Sequence, residues 1–211
     1  MKQVLILFFL LSIISAKAGW VRGSITYNSG EEKTGYIKEF SKSETIFIEF
    51  RFKPDDKPVK IPAEEIKELV MRTQDGTLIA KYLYSSSIGM NGEYKTSKEK
   101  MWFRIVFRGE FDVLSSYSDL INSPDYYINW PGDNNANMIY IQEQNGVLAT
   151  GKRVLLRKSM STIFTDKCNT MVDSINAETF MPKNIKEVLK FYVAHCKENS
   201  NLSDKSTITK D

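Results

Sequence analysis

Apolar residues follow three different spacings along this chain. Residues 4–14 are almost continuously apolar, residues 19–150 alternate apolar and polar positions in short runs, and residues 151–197 carry apolar side chains three and four positions apart. Alternation is typical of half-buried strands, whereas spacings of three and four are typical of amphipathic helices. The pattern therefore predicts a β-rich region followed by helices.

The β-rich region contains two sets of short strand-like runs. They cover residues 21–27, 35–40, 45–52, 59–61, 77–84, 101–107, 111–117, 126–130 and 138–142. Pro62 is predicted to open a single helical turn that continues through Leu69, and the polar stretch 85–100 separates two of the runs. Short strands divided by turn signals favour an antiparallel meander, a rolled sheet or a small barrel over a parallel sheet.

Two C-terminal helices are predicted from their apolar faces. The first face comprises Leu156, Met160, Ile163, Phe164, Cys168, Met171 and Val172, and the second comprises Ile185, Val188, Leu189, Tyr192 and Cys196. Asn184 is a candidate N-cap, with Glu187 three positions later as in a capping box. The helices are gathered at one end of the chain, so the fold class is α+β, with a β-rich meander, rolled sheet or barrel followed by a two-helix hairpin.

These patterns divide the chain into four segments. We expect a signal peptide at 1–18, a β-rich domain at 19–150 with possible sub-units 19–70 and 77–150, a helical hairpin at 151–197 and a disordered tail at 198–211. The tail is almost wholly polar, and polar termini without packing partners are commonly disordered.

The first eighteen residues have the layout of a secretory signal. Lys2 is followed by the apolar run, and Ser15-Ala16-Lys17-Ala18 supplies an A-x-A cleavage site before Gly19. The eleven residues 4–14 span about 17 Å as helix, too short for a bilayer core of roughly 30 Å. We therefore expect cleavage and export to the periplasm or the outside of the cell, with no transmembrane segment in the mature chain.

Charge and residue counts narrow the classes of function. The chain has 29 basic and 26 acidic residues, and removal of the leader would leave 27 basic residues. A nearly neutral mature chain argues against nucleic acid as a partner. One histidine and two cysteines exclude most zinc and iron–sulfur sites, so no metal or cofactor is expected.

The two cysteines are expected to pair if the chain is exported. Cys168 and Cys196 would then lie in an oxidising compartment, where cysteine pairs usually form disulfides. Both lie on apolar faces of helices that a hairpin would bring together. Such a bridge would stabilise the fold by roughly 3–4 kcal/mol in the loop-entropy model. The alternative is two free buried thiols.

Candidate catalytic and metal-binding residues are few. His195 neighbours Cys196 on a helix, where consecutive side chains diverge by about 100°, so the two do not form a nucleophile–base pair. Asp133, Asn135 and Asn137 hold ligand positions of a calcium loop, but the required glycine and final glutamate are missing. The carboxylate pairs 31–32, 55–56 and 64–65 are adjacent in sequence. The sequence therefore favours a non-enzymatic protein but does not establish whether the protein is an enzyme.

Aromatic residues are the remaining binding candidates. Five of them cluster in the second strand set: Tyr117, Tyr126, Tyr127, Trp130 and Tyr140. If exposed together, they would form a platform for a sugar or a peptide, since aromatic side chains combine apolar area with polar groups. Core filling in strands explains them equally well.

A family resemblance covers most of the mature chain. Gly23-Ser24-Ile25, Asn28-Ser29-Gly30, Gly35-Tyr36-Ile37, Ile48-Glu49-Phe50 and residues 61–66 (I-P-A-E-E-I) resemble the opening of uncharacterised exported proteins from Bacteroidota. The N-terminal part is similar to SH3-like or Sm-like small barrels, which implies binding rather than catalysis. That family has no established activity to carry over, and fold alone does not determine function.

The leading hypothesis from the sequence is an exported, non-enzymatic module that binds a protein or glycan partner in the cell envelope. A structural envelope component is the first alternative. A hydrolase that uses dispersed carboxylates is the second, and it ranks lower because no sequence motif assembles a catalytic site.

Overall fold

The structure is a computed structural model, and it describes residues 19–40, 42–89, 93–116, 125–141 and 149–196. The expected signal peptide and the expected tail lie outside the described residues. The described chain is β-rich with C-terminal helices, so the predicted α+β class is confirmed.

The described elements run in the order expected, strands first and helices last. The strands are β1 (Trp20–Tyr27), β2 (Glu32–Lys38), β3 (Phe47–Arg51), β4 (Val59–Pro62), β5 (Ile66–Thr73), β6 (Gly76–Ile88), β7 (Tyr94–Arg108), β8 (Asp112–Ser116), β9 (Tyr126–Asn129) and β10 (Asn135–Ile139). A 3₁₀ turn occupies Ala63–Glu65, and the helices are α1 (Ala149–Phe164), α2 (Asn169–Asn176) and α3 (Ile185–His195).

The contacts within the chain define two compact units. Of the described residues, the N-terminal unit holds 19–84 and 98–116, and the C-terminal unit holds 85–97 and those from 125 onward. Strands β6 and β7 have residues in both units.

The described strands include a closed five-stranded barrel with additional strands, and the pairing that closes a ring of strands joins β10 to β6. The N-terminal unit contains a five-stranded antiparallel sheet. Its antiparallel strands neighbour one another in the order β5-β1-β2-β3-β4. Alternation along each strand sends one side chain in two to the inside. The fully buried apolar residues that result include Ile25, Ile37, Ile48, Phe50, Leu69 and Met71.

A pair of glycines allows the strands of this sheet to approach closely. Gly23 on β1 lies directly opposite Gly35 on β2. A Cβ atom at Gly23 would lie 2.2 Å from the carbonyl oxygen of Val70, and one at Gly35 would lie 2.4 Å from that of Arg51. Both distances are far below van der Waals contact, so only glycine fits at this point of the inner surface.

Trp102 on β7 fills the remaining core of this unit. Its ring is fully buried and packs beside Phe40 and Tyr82, with ring centroids 5.5 and 5.2 Å away. The indole Nε1 donates a hydrogen bond of 2.8 Å to the carbonyl oxygen of Thr45. The polar edge of this large ring is therefore satisfied inside the core.

The structure corrects the prediction of a helical turn through Leu69. Only Ala63–Glu65 form a 3₁₀ turn, and strand β5 begins at Ile66. Thr26 pairs with Glu68 but Tyr27 pairs with Ile66, so the register shifts by one residue. This bulge places Ile66 and Leu69 on the same side although they are three positions apart, and that spacing imitates a helix.

The polar stretch 85–100 also belongs largely to strands. Strand β6 continues to Ile88 and β7 begins at Tyr94. The hydroxyls of Ser86 and Thr96 lie 2.9 Å apart, and the Ser85 amide donates to the Ser97 hydroxyl over 3.0 Å. Cross-strand hydroxyl pairs thus support strands that have few apolar residues.

The C-terminal helices number three among the described residues, rather than two. The first predicted helix ends at Phe164, and Cys168 caps the separate helix α2 by accepting a hydrogen bond of 3.3 Å from the Met171 amide. Asn184 caps α3 as predicted, with its side chain accepting from the Glu187 amide over 3.1 Å. Most residues of the two predicted apolar faces are buried, and Val172, Leu189 and Cys196 are half-buried.

Candidate functional site

The outer face of the N-terminal sheet carries a row of cationic and aromatic side chains. Arg51 on β3 is opposite Tyr36 on β2, Tyr36 is opposite Arg22 on β1, and Arg22 is opposite Arg72 on β5. Residues that are directly opposite in antiparallel strands share a face. Three arginines from three strands are thereby aligned with one tyrosine between them.

Alternation along the strands turns this row toward solvent. The sequence neighbours Gly23, Gly35, Phe50 and Met71 are all buried on the core side of the sheet. Their neighbours in the row must point outward, because successive side chains of a strand face opposite ways. Arg22 and Arg72 are exposed, whereas Tyr36 and Arg51 are half-buried.

Aromatic rings hold two of the guanidinium groups. The guanidinium carbon of Arg51 lies 3.5 Å from the centroid of the Trp20 ring. That of Arg22 lies 5.9 Å from the Tyr36 ring, and its Nε donates to the Tyr36 hydroxyl over 3.4 Å. Cation–π contacts contribute about 0.5–1 kcal/mol each at exposed sites. We call Trp20, Arg22, Tyr36, Arg51 and Arg72 the arginine face.

The charges of this row are not neutralised from within the described chain. Neither Arg22, Arg51 nor Arg72 forms an ion pair with a carboxylate among the residues that the structure describes. The nearby Lys38 is paired with Glu49 at 3.0 Å. The arginine face therefore carries three positive charges, two of which are held by aromatic rings.

Such an array can bind anions by geometry as well as charge. A guanidinium group presents its N–H donors in a planar fork that matches a carboxylate, sulfate or phosphate group. Adjacent strands lie about 4.8 Å apart, so the row from Arg51 to Arg72 spans roughly 14 Å across the sheet. The next outward row is uncharged and contains Ser24, Thr34 and Val70.

The aromatic residues singled out from the sequence lie elsewhere, in the C-terminal unit. Only 7% of Tyr127 and 8% of Trp130 is exposed. Trp130 packs against Phe164 and Tyr192, and its Nε1 donates to the carbonyl oxygen of Ile163 over 3.2 Å. These two rings fill the core, as the alternative interpretation held, and do not form an exposed platform.

Two other members of that cluster lie in the same unit, and one lies outside the described residues. Tyr140 is half-buried and donates its hydroxyl to the carbonyl oxygen of Ile88 over 3.0 Å. Tyr126 is half-buried, and Tyr117 lies outside the described residues. Burial raises the pKa of both Tyr127 and Tyr140 above the ordinary tyrosine value. Both phenols therefore stay protonated and act as hydrogen-bonding groups.

The predicted disulfide is present. Cys168 and Cys196 are bonded, with their Cα atoms 5.1 Å apart, so the alternative of free thiols does not apply. His195 is exposed and lies beside Phe191, with ring centroids 4.5 Å apart. It is the last residue of α3.

The calcium-like sequence forms an ordinary turn between β9 and β10. The Asn129 side-chain amide donates to the carbonyl oxygens of Asp133 and Asn135 at 3.0 and 2.9 Å. Gln144, at the last ligand position, lies outside the described residues. Across the part of the chain that can be described, no group of three or more histidine, cysteine or acidic residues is placed to hold a metal ion.

Comparisons with known proteins returned no match among family models, curated proteins or solved structures. Within the described ranges, none of the helices has the length and hydrophobicity needed to cross a bilayer. The function must therefore be argued from the surface itself.

The arginine face was not recognised from the sequence. Arg22, Tyr36, Arg51 and Arg72 are separated by 14, 15 and 21 positions along the chain, and each one alone resembles a solvated strand position. Each arginine is next in sequence to a residue that faces the core. Alternation along a strand therefore places each arginine on the outer surface. The alignment of the three appears only once the strand register is known.

Proposed function

We propose that this protein is an exported, non-enzymatic binding module of the cell envelope, and that it recognises a protein or glycan partner through the arginine face. The observation that carries the proposal is the alignment of Arg22, Arg51 and Arg72 without carboxylate partners on the described outer surface. Three positive charges held close together repel one another, and an anionic partner would relieve that repulsion.

The rigidity of the strands beneath favours recognition. Strands β1 and β2 are paired on both sides, and the glycine pair allows close approach to the neighbouring strands. Side chains presented by such strands lose little freedom on binding, and preorganisation of this kind raises affinity. Trp20 and Tyr36 restrict the arginines further.

Two features support the exported location. The N-terminal sequence has the layout of a secretory signal, and disulfides such as Cys168–Cys196 are typical of oxidising compartments. Mass spectrometry of the cell fractions tests the location. We expect a chain that begins at Gly19 in the exported fraction and gains two mass units on reduction. An intact Met1 on a chain confined to the cytosol would contradict it.

Binding is tested by co-sedimentation of the purified protein with isolated envelope fragments. We compare the wild type with Arg22→Gln/Arg72→Gln, which removes two charges from the arginine face. The matched control is Arg104→Gln/Arg153→Gln, which removes two exposed arginines elsewhere in the chain. We expect the first variant to lose at least tenfold in bound fraction and the control to stay within twofold of wild type. Equal binding by all three proteins would refute the proposed binding face.

A further inference from the structure

We propose that the partner of the arginine face is an acidic glycan, a polymer of sugars that carry carboxylate or sulfate groups. This inference rests on the proposed function and names the chemistry that the same surface recognises.

Charge complementarity is the first step. The arginine face holds three guanidinium groups, and its adjacent Lys38 is already neutralised by Glu49. Arginine is the residue best suited to bind planar oxyanions through two parallel hydrogen bonds. The face therefore selects an anionic ligand over a neutral one.

The length of the row is the second step. It crosses four adjacent strands, β3, β2, β1 and β5, and spans roughly 14 Å at the usual separation of strands. One small anion contacts a single guanidinium or two neighbouring ones. Three charges are engaged together only by a ligand with repeated anionic groups, and the gain from simultaneous contacts grows with their number.

The position of the row within the sheet is the third step, and it favours a glycan over an acidic peptide. Peptides that bind sheets commonly add a strand to a free edge, where main-chain groups are unpaired. Strands β1 and β2 are interior, with ladder partners on both sides. The main-chain groups of β1 and β2 are already paired within the sheet. A ligand can therefore contact only side chains here.

The groups around the arginines suit sugars. Ser24 and Thr34 form the neighbouring row and supply hydroxyls for hydrogen bonds to sugar hydroxyls. The half-buried rings of Tyr36 and Trp20 hold Arg22 and Arg51 on the same surface. Charge, hydroxyls and rings are thus combined on one outer surface.

Defined polymers test the inference by calorimetry or biolayer interferometry. Polygalacturonate and dextran sulfate are the acidic probes, unmodified dextran is the neutral glycan, and poly-L-glutamate represents an acidic peptide. We expect the wild type to bind at least one acidic glycan, to bind dextran not at all, and to bind more weakly as salt screens the charges. Arg22→Gln/Arg72→Gln should weaken binding at least tenfold, and Arg104→Gln/Arg153→Gln less than twofold.

A charge-preserving variant and a measurement of stability together distinguish loss of binding from loss of folding. Arg22→Lys/Arg72→Lys keeps the charge but loses the planar fork, so we expect affinity between that of wild type and the glutamine variant. Circular dichroism should show the same thermal transition for all variants. A lysine variant as weak as the glutamine variant still supports arginine-specific recognition if its transition is unchanged.

Three results would overturn the inference. The first is binding of poly-L-glutamate but of neither acidic glycan, which would indicate an acidic peptide. The second is equal loss of affinity in the test and control variants, which would indicate attraction by net charge. The third is no binding of any polymer. If envelope co-sedimentation still depends on Arg22 and Arg72 in such a case, the proposed function stands and only the glycan is excluded. If it does not, both fail.

Discussion

The guanidinium carbon of Arg51 lies 3.5 Å from the centre of the Trp20 ring, although the two residues belong to β3 and β1 and are separated by β2. The Arg51 side chain therefore reaches across one strand to lie against the indole. Its Nη1 also donates a hydrogen bond to the carbonyl oxygen of Pro54. The position of this charge is determined jointly by three separate segments.

Replacing Trp20 tests whether the ring positions Arg51. Trp20→Ala removes a cation–π contact worth about 0.5–1 kcal/mol, so affinity for envelope fragments should fall about two- to fivefold. Trp20→Phe keeps an aromatic face and should recover most of that loss. Co-sedimentation titrations measure both values. Identical affinities for wild type and Trp20→Ala would show that the ring does not contribute.

Gly23 is expected to tolerate no side chain. Gly23→Ala would place its Cβ 2.2 Å from the Val70 carbonyl oxygen, so the strands must separate, at a cost of about 1–3 kcal/mol typical of overpacking. Ser24→Ala, at the next position on the outer surface, should change the free energy of unfolding by no more than about 0.5 kcal/mol. Urea denaturation compares them. A Gly23→Ala protein as stable as wild type would contradict the close approach.

The Cys168–Cys196 disulfide should supply a large part of the stability of the C-terminal unit. The two residues are 28 positions apart, which corresponds to about 3–4 kcal/mol in the loop-entropy model. Cys168→Ser/Cys196→Ala should lose that amount in denaturant titrations, while the serine hydroxyl still caps α2. Reduction of the wild type should have a similar effect. A loss below 1 kcal/mol would show that helix packing alone holds the unit.

Asp125 should make stability depend on pH. Burial raises the pKa of its carboxyl above the ordinary aspartate value. The folded state then binds the proton more tightly than the unfolded state, and this contribution is fully present below the unfolded pKa of about 4. It is lost as the pH rises through the folded pKa. The carboxylate form of Asp125 is thus the destabilising one.

Asp125→Asn isolates this effect. The variant carries no ionisable group at residue 125, so the decrease in unfolding free energy between about pH 4 and neutrality should become smaller than in wild type. Asn134→Ala, at an exposed turn of the same unit, changes no ionisable group and should leave the pH profile unchanged. Thermal unfolding measured across this pH range compares the three proteins. Identical profiles for wild type and Asp125→Asn would rule the proposed dependence out.

Features that depend on local periodicity could be predicted from the sequence. Alternation identified the β-rich region, spacing of three and four identified the buried helix faces, and Asn184 with Glu187 marked the start of α3. Each of these is encoded within a few consecutive residues. The cysteine pairing was also predictable, because only two cysteines are present and both lie on apolar faces.

Features that depend on partners distant in sequence could not be predicted. The spacing of Ile66 and Leu69 indicated a helix because the bulge opposite Tyr27 is invisible without the register. The sequence was equally compatible with exposed and with buried positions for Tyr127 and Trp130. The tertiary structure shows both buried, with Phe164 and Tyr192 packed around Trp130.

The amino-acid sequence by itself determined which residues of each segment are apolar, which element each segment favours and which cysteines can pair. Tertiary structure alone decided that Arg22, Arg51 and Arg72 lie in one row. Periodicity specifies the face on which a side chain lies, but the neighbouring strand and its register are determined by ladder contacts between residues far apart in the chain.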